Sequence, residues 1–288
     1  MSDSARDLTD PSEPRNTSDP SLLVEVLTEI AREAGDYLRS VFGTPVDVEV
    51  KSGRSDLVTM HDRIVEKKIR RRIEAALPGV RIVGEEEGVS GGVGEVVCYI
   101  DPIDGTSNFA SGVPFYCVSL ALTISDRVVA GVVHDPEREE TFSATGASSL
   151  LNGNPVRATS TARDRDALLI SSWPYEGGVV DRSELADYEL ALASFRTVRR
   201  LGSAALGLAY VAAGRADVTS ELIAKPWDVA AGFLLVTSAQ GRITRSPASA
   251  GDPSWYAPRY IAHGPDFDVS RSSIRHSLVD PVRSYSSS

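Results

Sequence analysis

Residues 99–109, Tyr99-Ile100-Asp101-Pro102-Ile103-Asp104-Gly105-Thr106-Ser107-Asn108-Phe109, decide how this chain is read. Val96-Val97-Cys98-Tyr99-Ile100 is an apolar, mostly β-branched run and predicts a buried strand. The run ends at two aspartates, Asp101 and Asp104, on either side of a Pro102-Ile103 corner. Gly105-Thr106 then turns the chain so that successive N–H groups can face one concavity. Two acids this close repel unless something positive sits between them. Hard divalent cations such as Mg²⁺ take oxygen ligands of this kind, and the neighbouring amides suit a phosphate oxygen. The stretch therefore predicts a metal-dependent phosphate site at a strand terminus, although turn-forming aspartates would give the same spacing.

Upstream, Ser21 is placed to cap a helix with Leu23, Leu27, Ile30, Ala34, Leu38 and Val41 on one face, stopped by Gly43-Thr44-Pro45. Val46, Val48 and Val50 alternate with Asp47, Glu49 and Lys51, the pattern of a half-buried strand. Thr59 begins a second helix, with Asp62 three residues on as a near capping box. Its stripe is Val65, Ile69, Ile73 and Leu77, and Pro78-Gly79 ends it. Arg81-Ile82-Val83 is a short strand running into Gly84-Glu85-Glu86-Glu87-Gly88, acids that a solvated turn would also carry. Residues 90–94 read as a Gly-rich surface loop.

Downstream, 118–124 and 128–134 are strands around a Ser125-Asp126 turn. Strands are expected at 168–171, 196–200, 216–222 and 260–262, and a helix at 182–193. Gly202-Ser203 caps a helix over 204–213. Asp228 opens an apolar helix that Gly241 terminates, and as an N-cap it would need no other role. Residues 275–288 read as a frayed tail.

With 288 residues and 42% hydrophobic content, the chain can bury a large core in one body or two subdomains. A net charge of -10 excludes binding to nucleic acid or an anionic membrane through net charge. The only cysteines, Cys98 and Cys117, lie in apolar runs, which fits a reducing cytoplasm better than a disulfide framework. No uninterrupted apolar run is long enough to span a membrane, and the acidic N-terminus does not read as a signal peptide.

Glu85, Asp101, Asp104 and Asp228 share one design, an acid at the end of a strand or the start of a helix. Together they are enough to hold two or more Mg²⁺ ions with a phosphate completing the shells.

Gly84-Glu85-Glu86, residues 101–109 and Trp227-Asp228-Val229-Ala230-Ala231-Gly232 resemble the signatures of the inositol monophosphatase family. These are Mg²⁺-dependent, lithium-sensitive sugar phosphatases related to fructose-1,6-bisphosphatase. The likeness extends to Lys51, Asp56-Leu57-Val58-Thr59 and Gly202-Ser203-Ala204-Ala205, and covers about residues 21 to 265 in order. The resemblance implies that Glu85, Asp101, Asp104 and Asp228, with the carbonyl of Ile103, are metal ligands for two to three Mg²⁺. It implies that Asp62 and Thr106, assisted by Glu85, orient and deprotonate the attacking water. Gly105 and Thr106 would hold the phosphate, while Ser203, Ala204 and Glu221 would contact the sugar. Glu86 and Lys51 would stand behind the ligands. One departure is Ser238-Ala239-Gln240-Gly241, where the family usually has Glu-Ala-Gly-Gly.

The expected architecture is mixed α/β, the layered αβαβα sugar-phosphatase fold. A disordered leader (1–20) precedes an N-terminal α+β subdomain (21–160) that carries most ligands. A C-terminal α/β subdomain (161–270) and a flexible tail (271–288) follow, with the active site between the subdomains. The expected reaction is hydrolysis of a small polyol phosphomonoester, inositol 1-phosphate first. Fructose 1,6-bisphosphate is the alternative, then a nucleotide 3′-phosphate, and in another class a metal-binding regulator without turnover. A cytoplasmic homodimer is expected, with no nucleic-acid or membrane partner. His61 reads as a solvated helix-start histidine, Trp173 and Tyr175 as substrate-flanking or core, and Cys117 as a core residue.

Overall fold

A computed structural model describes residues 19–50, 57–174, 182–246, 249 and 252–278. The chain opens with α1 (Pro20–Val41), capped by Asp19, whose carboxylate accepts from Ser21 N at 2.9 Å. The cap falls two residues before the expected Ser21 because Pro20, lacking an N–H, suits the first helical position. Leu23, Leu27, Ile30, Ala34 and Leu38 are buried on one face as expected. Each large aliphatic among them contributes about 1.5–3 kcal/mol on leaving water.

Next, β1 (Val48–Val50) pairs antiparallel with β2 (Leu57–Thr59). All three residues of β1 are exposed, so this is a projecting ribbon rather than the half-buried strand its alternation predicts. Thr59 caps α2 (Met60–Ala76) in a capping box with Asp62. A hairpin of β3 (Arg81–Gly84) and β4 (Gly88–Gly91) follows, so ladder pairing takes in the start of the expected Gly-rich loop.

The central strand β5 (Val96–Asp104) leads into α3 (Thr106–Ala110), then β6 (Cys117–Ile124) and β7 (Arg127–Asp135). The sheet continues through β8 (Glu140–Thr145), β9 (Ser149–Leu151) and β10 (Asn154–Pro155), giving eight strands in the order β10-β9-β8-β7-β6-β5-β3-β4. A second sheet starts at β11 (Leu168–Ser171) and is joined, after α4 (Arg182–Ser194), by β12 (Thr197–Arg200). Then come α5 (Ala204–Ala212), β13 (Val218–Glu221), α6 (Pro226–Ser238), β14 (Arg242–Arg245) and β15 (Tyr260–His263). Its order is β12-β11-β13-β15-β14.

Side-chain alternation sets the layers. On β5 and β6, Cys98, Ile100, Val118, Leu120 and Leu122 pack under α1 and α2. Tyr99, Cys117 and Ala121 face the opposite core, shared with α5, α6 and the second sheet. The far face of that sheet packs Leu169, Val218 and Ile261 with Ala191 of α4. The order is therefore helix, sheet, helix, sheet, helix. A strand buried on both faces reads as one apolar run, which is why β5 shows no polar alternation.

Among the strands that local pattern does not signal are β8 and β14, since Glu140-Thr141-Phe142-Ser143 and Arg242-Ile243-Thr244-Arg245 each carry three polar residues to one apolar. The expected tail is ordered through residue 278. Ile274 and Ser277 are buried, and Arg259 Nη1 donates to the Ser277 carbonyl at 2.9 Å. Residues 1–18 and 279–288 lie outside the described residues. Gln240, standing where the family usually has glycine, adopts φ 69°, a conformation that favours glycine.

His134 on β7 is buried against Gly35 of α1, where an added Cβ would meet its ring Cδ2 at 2.4 Å. Burial, then the neighbouring Arg32 charge, hold its pKa down at about 4. An unfolded histidine titrates near 6.5, so between the two values the unfolded chain binds more protons. This group's contribution is therefore complete above about pH 6.5 and falls by about 3 kcal/mol in all as pH drops to about 4. His134→Gln is expected to flatten that part of the stability curve, measured by urea unfolding across this range.

Candidate active site

Residues three apart on a regular strand face opposite sides. On β5, Asp101 pairs with Ser119 and Asp104 with Cys117, so three steps on β5 match two on β6. The extra residue is a bulge, which returns Asp104 to the side of Asp101. It also admits Pro102, which cannot donate to a ladder, in the interior of the sheet. Ile103 buries its side chain in the outer core, while its carbonyl oxygen lies 2.9 Å from Thr106 Oγ1. Gly105 follows at φ 102°, where a Cβ would lie 3.0 Å from the Phe115 carbonyl oxygen, so the turn needs glycine. The first N–H groups of α3, which a helix cannot satisfy internally, come next.

Glu85, Asp101, Asp104, Glu221 and Asp228 line one cavity of about 450 Å³, together with Ile103, Gly105, Thr106, Ala204 and Arg200. The acids arrive from the turn after β3, the end of β5, the end of β13 and the first turn of α6. Asp101 is held by Ile103 N–H, which donates to its Oδ1 at 3.1 Å. Asp104 Oδ2 accepts from Ser203 Oγ and Ala205 N, both at 2.6 Å, and Oδ1 accepts from Ala204 N at 3.3 Å. The Asp104 carboxylate thus sits on the N-terminus of α5, where the helix dipole favours an anion. Asp228 Oδ2 accepts from Lys225 N at 2.8 Å, so it closes the first turn of α6 while facing the cavity.

Burial first, then the charges of Glu85, Asp104 and Asp228, push the Asp101 carboxyl well above the usual range. Burial and the charges of Asp104 and Glu85 do the same to Asp228. Asp104 is also raised by burial, against the hydrogen bonds from Ser203, Ala205 and Ala204. A donor set made only of carboxylates and one carbonyl suits Mg²⁺, Ca²⁺ or Mn²⁺. Among the described residues, no three of these acids are drawn into a closed ligand cluster. Like charges this close repel, and a cation placed between them would reverse the sign of that interaction.

Asp62, at the third position of α2, points both oxygens to use. Oδ2 accepts from Thr59 N at 2.7 Å and Thr59 Oγ1 at 2.6 Å, while Oδ1 accepts from Thr106 Oγ1 at 2.9 Å. The capping box and the Thr106 contact are thus one network, so the two readings of Asp62 coexist. Ser203 is buried and bonded to Asp104 rather than lining the cavity, and its neighbour Ala204 reaches the wall. Glu86 is half-buried, and its N–H donates to Glu66 Oε2 at 2.8 Å. Lys51 lies outside the described residues.

Sequence reasoning missed three supports. Thr59 does more than cap, Asn108 Nδ2 donates to the carbonyls of Phe115 and Leu201 at 2.7 Å, and Ser119 Oγ donates to Trp227 O at 3.1 Å. The Thr59-to-Asp62 spacing was the only visible signal, because the Asn108–Leu201 and Ser119–Trp227 bonds join distant segments. Cys117 is buried with Sγ 3.8 Å from Asp104 Oδ2, so this core residue also backs the site. His61 is buried, not solvated, with Nδ1 2.9 Å from Tyr37 OH and its ring edge on Phe109. Trp173 is fully buried with Nε1 donating to Ser220 O at 3.1 Å, so it belongs to the core. Tyr175 lies outside the described residues.

A sequence model described as the inositol monophosphatase family matches residues 19–276. This chain belongs to the inositol monophosphatase family. An inositol-1-monophosphatase of Synechocystis is 36% identical over 239 residues, 82% of this chain and 83% of that protein. The Nus factor SuhB of Salmonella typhimurium is 38% identical over 226 residues, 77% of this chain and 84% of that protein. The solved IMPase of Thermotoga maritima has a TM-score of 0.75 at 31% identity, covering 91% of this chain and 96% of that one. Inositol monophosphatases are metal-dependent, and this chain is a phosphoric monoester hydrolase. No helix among the described residues is long and apolar enough to cross a membrane.

Proposed function

We propose that this chain hydrolyses inositol 1-phosphate to inositol and phosphate with two to three Mg²⁺ ions, held by Glu85, Asp101, Asp104, Asp228 and the Ile103 carbonyl. The observation that carries the reading is the placing of these oxygens on one cavity beside the Thr106–Asp62 hydrogen bond. When bound, Mg²⁺ supplies a more acidic water and neutralises charge on the phosphoryl and leaving oxygens. The chain's own groups do the positioning on which phosphoryl transfer depends. Thr106 Oγ1 donates its hydrogen bond to Asp62 Oδ1, which leaves its lone pairs to accept from the attacking water. The proton lost by that water passes through Thr106 Oγ1 to Asp62, whose carboxylate the Thr59 donors hold in place. N–H groups of Gly105 and Thr106 take phosphate oxygens, and Glu221 accepts from polyol hydroxyls. Glu86 backs the ligands through the turn that carries Glu85.

Two relatives named inositol-1-monophosphatase, from Synechocystis and Mesorhizobium japonicum, favour inositol 1-phosphate. We further propose lithium sensitivity, homodimer formation and a cytoplasmic setting, the last in keeping with two free, buried cysteines. The test is phosphate release from a panel of inositol 1-phosphate, fructose 1,6-bisphosphate and a nucleotide 3′-phosphate, with Mg²⁺ and with or without Li⁺. The highest kcat/KM is expected on inositol 1-phosphate, with loss in Li⁺ and no turnover in chelator. A higher kcat/KM on either other ester overturns the substrate reading.

A further inference from the structure

Behind the turn that carries Glu85 lies an ion pair of α2 that the reaction itself does not use. Glu66 and Arg70 stand one helical turn apart and are 0% and 6% exposed. Arg70 Nε and Nη2 donate to Glu66 Oε1 at 2.8 and 2.7 Å. A buried pair repays its desolvation poorly as a source of stability, so its position points to another role. The remaining capacity of both side chains goes to the hairpin of β3 and β4. Glu66 Oε2 accepts from Glu86 N at 2.8 Å, and Oε1 accepts from Glu87 N at 3.1 Å. Arg70 donates to Gly88 O and to Ser90 Oγ, each at 2.6 Å. One carboxylate and one guanidinium therefore fasten both the turn and the β4 arm that follows it.

Contact at Gly84 is equally close. A Cβ added there would lie 2.2 Å from Glu66 Oε1 and 2.6 Å from Arg70 Nη2, so the pair rests on bare backbone. Glu85 N in turn donates to Ile100 O at 3.2 Å, tying the turn to the strand that bears Asp101. The backbone of Glu85 is thus bounded by Gly84 against the pair on one side and the Glu86 N–H bonded to it on the other.

We propose that Glu66 is a positioning residue that sets the main chain around Glu85 so that its carboxylate and that of Asp101 can meet one divalent cation. This rests on Glu85 being a ligand. Groups behind metal ligands typically alter metal affinity by about 10–100-fold when mutated. Glu66→Gln keeps the volume and one acceptor, but its amide nitrogen cannot accept from Glu86 N–H. Calorimetric titration with Mg²⁺ is expected to show a dissociation constant raised roughly 10–100-fold. At saturating Mg²⁺, kcat should recover towards wild type and KM for the ester should stay unchanged, a split that general loosening would not give. Glu66→Asp, which keeps the charge towards Arg70 but falls short of the turn, should shift Mg²⁺ affinity in the same direction. Wild-type Mg²⁺ affinity in folded Glu66→Gln overturns the proposal.

Amide exchange in the unmutated protein gives an arm independent of how the variants fold. Glu86 and Glu87 N–H are expected to exchange as slowly as strand amides, and exchange at open-loop rates contradicts the clamp. If wild-type Mg²⁺ binding is instead indifferent to Asp101→Asn, it is the ligand reading that fails, while the exchange result still judges the clamp.

Discussion

Asp101→Asn is expected to lower kcat/KM for phosphate release by roughly 10³-fold or more, because charge stabilisation and positioning supply most of phosphoryl-transfer catalysis. The same variant should be no less stable than wild type without metal. Asparagine keeps the Oδ1 that accepts from Ile103 N–H, and it removes a charge that burial and Glu85, Asp104 and Asp228 all disfavour. Rate and stability therefore move in different directions, which a misfolded variant could not imitate. The second signature is in melting experiments, where added Mg²⁺ should raise the wild-type midpoint and leave that of the variant nearly unchanged. Near-wild-type turnover in Asp101→Asn refutes the ligand assignment.

A second large effect is expected at Asp62. In Asp62→Asn an amide nitrogen facing Thr106 Oγ1 donates where the carboxylate accepted, so the hydroxyl loses the acceptor that takes its proton. A loss of about 10²–10⁴ in kcat is expected, the usual worth of general acid–base assistance. Thr106→Ala should cost a similar factor, and the double variant little more, since both act in one relay. The helix cap must be separated from this. Thr59→Ala removes the capping hydroxyl but keeps the Thr59 N–H bond to Asp62 Oδ2, so it should cost about 1 kcal/mol of stability and a smaller factor in kcat than Asp62→Asn. If Thr59→Ala and Asp62→Asn lower kcat equally, Asp62 acts only as a cap.

The local rules served the middle of the chain well. The stretch from Val96 to Phe109 declared a buried strand and its acidic end, but β5 runs on to Asp104, so the expected Pro102-Ile103 corner lies inside the strand. What stayed hidden was the bulge between Asp101 and Asp104, because register belongs to the pairing with β6 and not to β5 alone. The same holds for Glu66 and Arg70, which on a helical wheel look like an ordinary exposed pair four residues apart. Their burial depends on the hairpin folded over them. His61 misled for a related reason, since a polar residue at a helix start is normally solvated, and here the Tyr37 hydroxyl and the Phe109 ring enclose it. The exposed valines of β1 failed in the other direction: alternation promised a buried face, but in this two-stranded ribbon only β2 buries side chains, Val58 and Thr59.

Crystals soaked in Mn²⁺, an oxygen-seeking substitute for Mg²⁺ with a usable anomalous signal, test the central claim most directly. Anomalous peaks are expected in the cavity, the strongest bounded by Glu85, Asp101 and the Ile103 carbonyl, with a further peak between Asp104 and Asp228. Peaks confined to other surfaces, with those four carboxylates turned to separate places, would contradict it.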